Sequence, residues 1–345
     1  MRVPQSAGGT ASPLPKTVGR SQFPASFPAI SRQFSWRGGN PAELDNTEAR
    51  RVFDQAGPDL AEHYHRYGFS LLGNALTPDE VAAINADAVR LCRGDYGSIR
   101  YGGEDALALA RSAAKPANDH ELLRQFLCIH FPHKASQASL AALAAPRIVD
   151  ALVGVIGPNV KAMQSMLFIK SEGKPGQAWH QDEFFIPTRD RSLTAVWIAL
   201  DDATVENGCL WVLPGSHRRG VIYPAREQQN PRFDCTTEAY DFPYTDEQSI
   251  PVEIAAGTAL IFNGYLLHRS LENSGRHGYR RALANHYMSA ESLLPWRPPK
   301  EGEHMGMADY RDIIMVAGAD PYGYKGTEDL AKPYSRADRD GGCDR

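Results

Sequence analysis

His180-Gln181-Asp182 places an imidazole and a carboxylate two residues apart. In an extended chain, residues i and i+2 face the same side, so both groups can grip one metal ion. A third donor has to come from elsewhere. His268 is the candidate, at the end of the apolar run 260–267. Two histidines and a carboxylate bound on one face of Fe(II) leave three coordination positions open. A chelating 2-oxo acid and O₂ together fill three. His-x-Asp alone carries little weight in a chain with eleven histidines. Its context adds weight: Trp179 and Phe184-Phe185-Ile186 surround it with apolar bulk, and 173–176 read as a tight turn leading into it. Ser270 lies two residues after His268 and shares its face. Arg280 opens a candidate strand, 281–287, where a guanidinium can hold a distal carboxylate through two parallel hydrogen bonds. Arg281 is the alternative. Arg280 is preferred because it shares a strand face with Ala282 and Ala284, which leave room for a ligand.

These residues fall within a longer series of motifs. His180 to Asp182 is followed by the run 194–202, by Asn207-Gly208-Cys209-Leu210, by Leu213-Pro214-Gly215-Ser216-His217, and by His268-x-Ser270 with Arg280; Gly157-Pro158-Asn159-Val160 lies upstream. In this order the series resembles the phytanoyl-CoA dioxygenase family over roughly residues 55–295. The resemblance implies a mainly β fold with flanking helices, built on a double-stranded β-helix (a jelly-roll, cupin-like) core. It implies that His180, Asp182 and His268 bind Fe(II). It implies that Arg280 anchors the far carboxylate of 2-oxoglutarate with help from Ser270, and that Trp197, Gln181 and Met166 line the co-substrate pocket. The implied reaction is hydroxylation of a small organic molecule by O₂, with release of succinate and CO₂ and with ascorbate as a supporting reductant. The family's lysine near the co-substrate has no secure match; His130, His133 and Lys134 lie in that region. Asp182 argues against halogenation, which needs the carboxylate replaced so that halide can bind. Two other readings remain: a cupin-type isomerase or hydrolase using Zn or Mn at the same triad, and a non-enzymatic barrel that binds a metabolite.

Stepping outward from these residues, the pattern changes along the chain. Residues 46–67 read as helical. Phe69 to Leu72 reads as a short strand. Thr77, Pro78 and Glu80 form a capping box with proline in the first turn, followed by apolar residues at helical spacing. A second amphipathic helix runs from about Arg147 to Ile156 and stops at Gly157-Pro158. Strands follow at 163–170, 193–200, 209–213, 259–262, 266–270 and 281–288. Glu206-Asn207-Gly208 reads as a type I′ hairpin turn between two of them. Phe184 and Phe185 are taken as strand residues, of which only one faces the site. Residues 222–250 read as an insertion loop, and loops of that length are often lids or binding loops. His217 reads as structural, and Arg218-Arg219 as a small basic spot. The segment 299–345, rich in Pro, Gly and charge, reads as an irregular extension to the dioxygenase domain at 44–298.

Composition supports this frame. A chain of 345 residues, 42% hydrophobic and 23% charged, is long enough for a large core and has an ordinary globular balance. A net charge of −4 without long single-sign runs gives no sign of nucleic-acid binding. No apolar stretch near the length of a membrane span is expected. Five scattered cysteines without a CxxC pair fit reduced thiols, and hence a cytoplasmic setting. Residues 1–43 contain five Arg/Lys and are free of acidic residues up to Glu43. They read as a disordered tail, with organelle targeting as the lesser alternative.

Overall fold

The computed structural model describes residues 44–96, 100–101, 116, 118–234, 237–293, 301 and 310–337. The expected N-terminal tail lies outside these residues. In chain order the strands are β1 Val52–Phe53, β2 Phe69–Leu72, β3 Arg100–Tyr101, β4 Phe126–His130, β5 Val160–Lys170, β6 Gln177–His180, β7 Thr194–Ala199 and β8 Leu210–Val212. They continue with β9 Ala225–Glu227, β10 Thr237–Ala239, β11 Ile250–Val252, β12 Ala259–Asn263, β13 His268–Ser270, β14 Arg280–Ser289, β15 Ile314–Ala317 and β16 Tyr334–Ala337.

Eight of these strands make the core. Along the chain β5, β6, β7 and β8 alternate between two sheets, β11 stays beside β8, and β12, β13 and β14 alternate again: β12-β7-β14-β5 lie side by side in a ten-stranded sheet, and β11-β8-β13-β6 form a four-stranded sheet. All neighbours within these two sets are antiparallel. A chain that crosses between two sheets in this order winds as a double-stranded β-helix, the core expected from sequence. The two sheets enclose an inner layer that includes Trp197, Leu260, Phe262, Leu210 and Val252. On the outer face of the large sheet, Val196, Ile198, Leu283 and Tyr287 pack against helices Pro58–Tyr67, Pro78–Arg93 and Pro146–Ile156. β7 is therefore buried on both faces, which is why its sequence reads as a continuous apolar run and not as an alternation.

Several local readings hold. Thr77 Oγ1 accepts from Glu80 N, and Glu80 Oε2 accepts from Thr77 N at 2.8 Å, so the capping box is formed. Others need correction. Residues 46–67 are not one helix: the chain makes a turn at Asn46–Ala49, pairs through β1, and restarts a helix at Pro58 after an extended Gly57. Proline lacks the N–H that a continuous helix needs, but it suits a first turn. Glu206-Asn207-Gly208 is no hairpin turn, because β7 and β8 belong to different sheets. Gly208 has φ +82° while Asn207 stays out of the left-handed region that type I′ requires. The Asn207 side chain instead accepts from Thr204 N and donates to Asp202 O, closing a sheet-to-sheet corner.

The segment from 299 is not irregular throughout. β15 pairs with the 160–162 end of β5, and β16 pairs with β4. They cover edges that would otherwise expose unpaired backbone. Within 222–250, β9 and β10 form a two-stranded sheet. Contrary to expectation, Gln137–Ile156 is long and apolar enough to cross a membrane by composition. It comprises two helices, Gln137–Leu143 and Pro146–Ile156, and Ile148, Ala151 and Leu152 of the second are buried in the core.

Candidate metal and co-substrate site

β13 lies between β6 and β8, and its register places His268 opposite His180. β6 ends at His180. Gln181 stays extended (φ −129°, ψ 130°), and Asp182 begins the helical turn Asp182–Phe185. The two side chains thus share a side, as expected, although Asp182 is not in a strand. Phe184 and Phe185 sit on this turn and are both exposed, so the expected strand alternation does not apply to them.

The ligating atoms of His180, Asp182 and His268 lie within 4.8 Å of one another. Asp182 Oδ1 is 3.6 Å from His268 Nε2 and 3.9 Å from His180 Nε2. Both imidazoles donate from Nδ1 to a main-chain carbonyl two residues back, His180 to Ala178 at 2.7 Å and His268 to Leu266 at 3.0 Å. This bonding leaves each Nε2 lone pair free, the tautomer a metal ligand needs. Burial, then the neighbouring His268, push the His180 pKa down to about 4. Burial opposes ionisation of Asp182, but His268, His286 and His180 outweigh it and hold the carboxyl well below its usual range. Two imidazole nitrogens and one carboxylate oxygen are thus gathered at a single point. This donor set fits a divalent iron.

His286 completes this end, and the sequence reading missed it. Its Nε2 donates to Asp182 Oδ2 at 3.2 Å. Oδ2 is thereby occupied, and Oδ1 is left facing the two imidazoles. The signal was present: Arg280, Ala282, Ala284 and His286 alternate along β14 and share one face.

Below the triad, Arg280, Lys170 and Ser270 line a cleft of about 390 Å³. Arg280 is buried, its Nε donates to Gly208 O at 3.1 Å, and its guanidinium carbon lies 5.4 Å from the Trp197 ring centre. Arg281 points elsewhere and makes a bidentate pair with Asp201 at 2.8 and 2.6 Å. Lys170, also missed, is the cross-strand partner of Arg280. Burial, then Arg280, hold its pKa well below the usual lysine range. Met166 lies in the same cross-strand row as Ala284 and Trp197, with His130 on its other side.

Other expected residues lie elsewhere. Gln181 donates to Val221 O and Tyr265 O and accepts from Tyr223 N. Its amide pins the chain around the site. His133 binds Ser165, and Lys134 pairs with Asp312 and Asp329. His130 stacks on Tyr334 at 4.3 Å. His217 and Arg218 bond the last carbonyls of helix Pro58–Tyr67, so Arg218 is no loose basic spot. Above the triad, His180, Phe184, Phe185, Tyr223, Ala225 and Ala239 border an opening of about 200 Å³.

The fold and site together define a double-stranded β-helix with a His-Asp-His centre. A family model for phytanoyl-CoA dioxygenase matches residues 64–282, and the chain belongs to that family. Phytanoyl-CoA dioxygenase 1 of Oryza sativa subsp. japonica is 37% identical over 131 residues, 37% of this chain and 45% of the rice protein. That match therefore spans less than half of the relative's length. The peroxisomal phytanoyl-CoA dioxygenase of Rattus norvegicus is 27% identical over 275 residues, covering 77% of each chain. Among solved structures, the apo form of ThoJ, described as a non-heme monooxygenase, is similar with a TM-score of 0.56 and 23% identity, over 76% of this chain and 85% of that one. This last likeness concerns the fold.

Proposed function

We propose that the protein is an Fe(II)- and 2-oxoglutarate-dependent oxygenase that hydroxylates a small organic molecule. The observation that carries this reading is the pairing of two ends in one barrel: a His-Asp-His cluster at one, and at the other a buried arginine that has no carboxylate partner among the described residues. An isomerase or hydrolase using only the metal has no need of the second.

His180, Asp182 and His268 hold the iron, and iron with 2-oxoglutarate supplies the oxidising chemistry, with succinate and CO₂ as co-products. Arg280 takes the far carboxylate in its fork, and Ser270 adds a hydroxyl contact. Trp197 backs the guanidinium and keeps water from it. His286 holds Asp182 in its ligating orientation. The wall over the triad, made by Phe184, Phe185, Tyr223, Ala225 and Ala239, is uncharged, and it presents the substrate to the metal through an apolar part.

The test is succinate formation by purified protein given Fe(II), ascorbate, 2-oxoglutarate and a library of metabolites. Substrate-stimulated succinate release that disappears in His180→Ala supports the reading. A protein that copurifies with Zn or Mn and binds no 2-oxo acid would replace it with the isomerase or hydrolase alternative.

A further inference from the structure

Lys170 closes β5 directly opposite Arg280 at the start of β14. Both side chains are buried, and both face the cleft beside Ser270. Lys170 Nζ donates to Ser270 Oγ at 3.1 Å and to Leu271 O at 2.6 Å. An ammonium has three donors, so one remains after these two neutral acceptors. Among the described residues, Arg280 uses only Nε, on Gly208 O. Burying a cation without a counter-ion is costly, and two side by side repel as well. Among the described residues, the one carboxylate lining this cleft is Asp234, and Arg336 holds it at 2.7 and 2.5 Å. Among the described residues, no carboxylate is thus paired with Lys170 or Arg280.

We infer that Lys170 is a second anchoring cation for 2-oxoglutarate, binding the same remote carboxylate as Arg280 from the opposite strand; this rests on the functional reading above. A carboxylate has two oxygens and about four lone-pair sites. A guanidinium fork engages one edge and leaves acceptor capacity for an ammonium and a hydroxyl. Lys170, Arg280 and Ser270 are those three groups, converging from three strands on one cleft. The lysine adds selectivity. A 2-oxo acid without the second carboxylate leaves both cations without a counter-ion.

The test is calorimetric titration of the Ni(II)-loaded protein, which retains a metal for chelation without turnover. The ligands are 2-oxoglutarate and 2-oxobutanoate, which lacks the remote carboxylate. Lys170→Met is expected to weaken 2-oxoglutarate binding by at least about tenfold, the usual scale for a lost charged hydrogen bond. Affinity for 2-oxobutanoate and for Ni(II) should stay unchanged. Unaltered 2-oxoglutarate affinity, or parallel loss of both 2-oxo acids, overturns the proposal. If Lys170→Met does not fold, a crystal structure of the unaltered protein with Ni(II) and 2-oxoglutarate decides. Nζ within hydrogen-bond distance of the remote carboxylate supports the anchor, and a greater separation overturns it. Failure of the oxygenase reading looks different, because the unaltered protein would then bind neither 2-oxo acid.

Discussion

The two ends of the barrel handle buried charge in opposite ways. At the metal end, every ionisable group has a partner within the chain. Asp182 accepts from His286, and His180 and His268 are tied to main-chain carbonyls. At the arginine end, Lys170 and Arg280 line a cleft whose one carboxylate among the described residues, Asp234, is paired with Arg336. The first end is organised by the protein alone, and its geometry precedes its ligand. A buried cation without a counter-ion destabilises the fold, and the proposed 2-oxoglutarate would supply one.

Substitutions can break or sharpen this contrast. The largest effect is expected at Asp182: Asp182→Ala removes the only charged donor of the triad and should abolish both metal retention and turnover. Metal analysis and succinate release measure this, and full turnover would end the triad assignment. Next comes Arg280→Ala. Losing one partner of a buried charge pair costs about 2–5 kcal/mol, and that loss should appear in 2-oxoglutarate binding while metal affinity stays unchanged. If metal affinity fell equally, the two ends would not be independent. Smaller again is His286→Ala. Residues that orient a metal ligand typically contribute about 10–100-fold in metal affinity, and a drop of that size is expected. His286→Gln should restore part of it, because its amide N–H can reach where Nε2 sits; the absence of any rescue would assign His286 to packing alone. Arg281→Ala should do least. Its pair with Asp201 is partly exposed, with side chains at 20% and 21%, and such pairs contribute about 1 kcal/mol or less. Thermal unfolding should shift slightly, with 2-oxoglutarate affinity unchanged. A large loss of affinity there would reverse the choice between the two arginines.

The two ends also differed in how far they could be read from sequence. At the metal end, the donor types are rare enough and spaced closely enough to be recognised, and an extended Gln181 is all that is needed to bring His180 and Asp182 to one side. At the arginine end, Arg280 could be chosen over Arg281 from strand parity. Lys170 could not be connected to it: 110 positions separate them, and their pairing depends on the register of β14 on β5. Local signals failed where a tertiary alternative competed with them. Asn207-Gly208 has the composition of a hairpin turn, yet it forms a corner because its flanking strands serve different sheets. The 299–345 segment is polar, yet β15 and β16 find edges in the large sheet to pair with.

By itself, the sequence determined the chemical inventory of this protein. It specified two imidazoles and a carboxylate suited to one metal, an arginine among small residues, and short apolar strands suited to a barrel. Only the tertiary structure decided which groups meet. It set His268 opposite His180, brought His286 onto the free oxygen of Asp182, turned Arg281 to Asp201, and placed Lys170 across from Arg280. The physical reason is that residue type and strand parity are local properties written along the chain. Register between strands a hundred residues apart is settled by burial and backbone pairing, and these exist only once both sheets have closed.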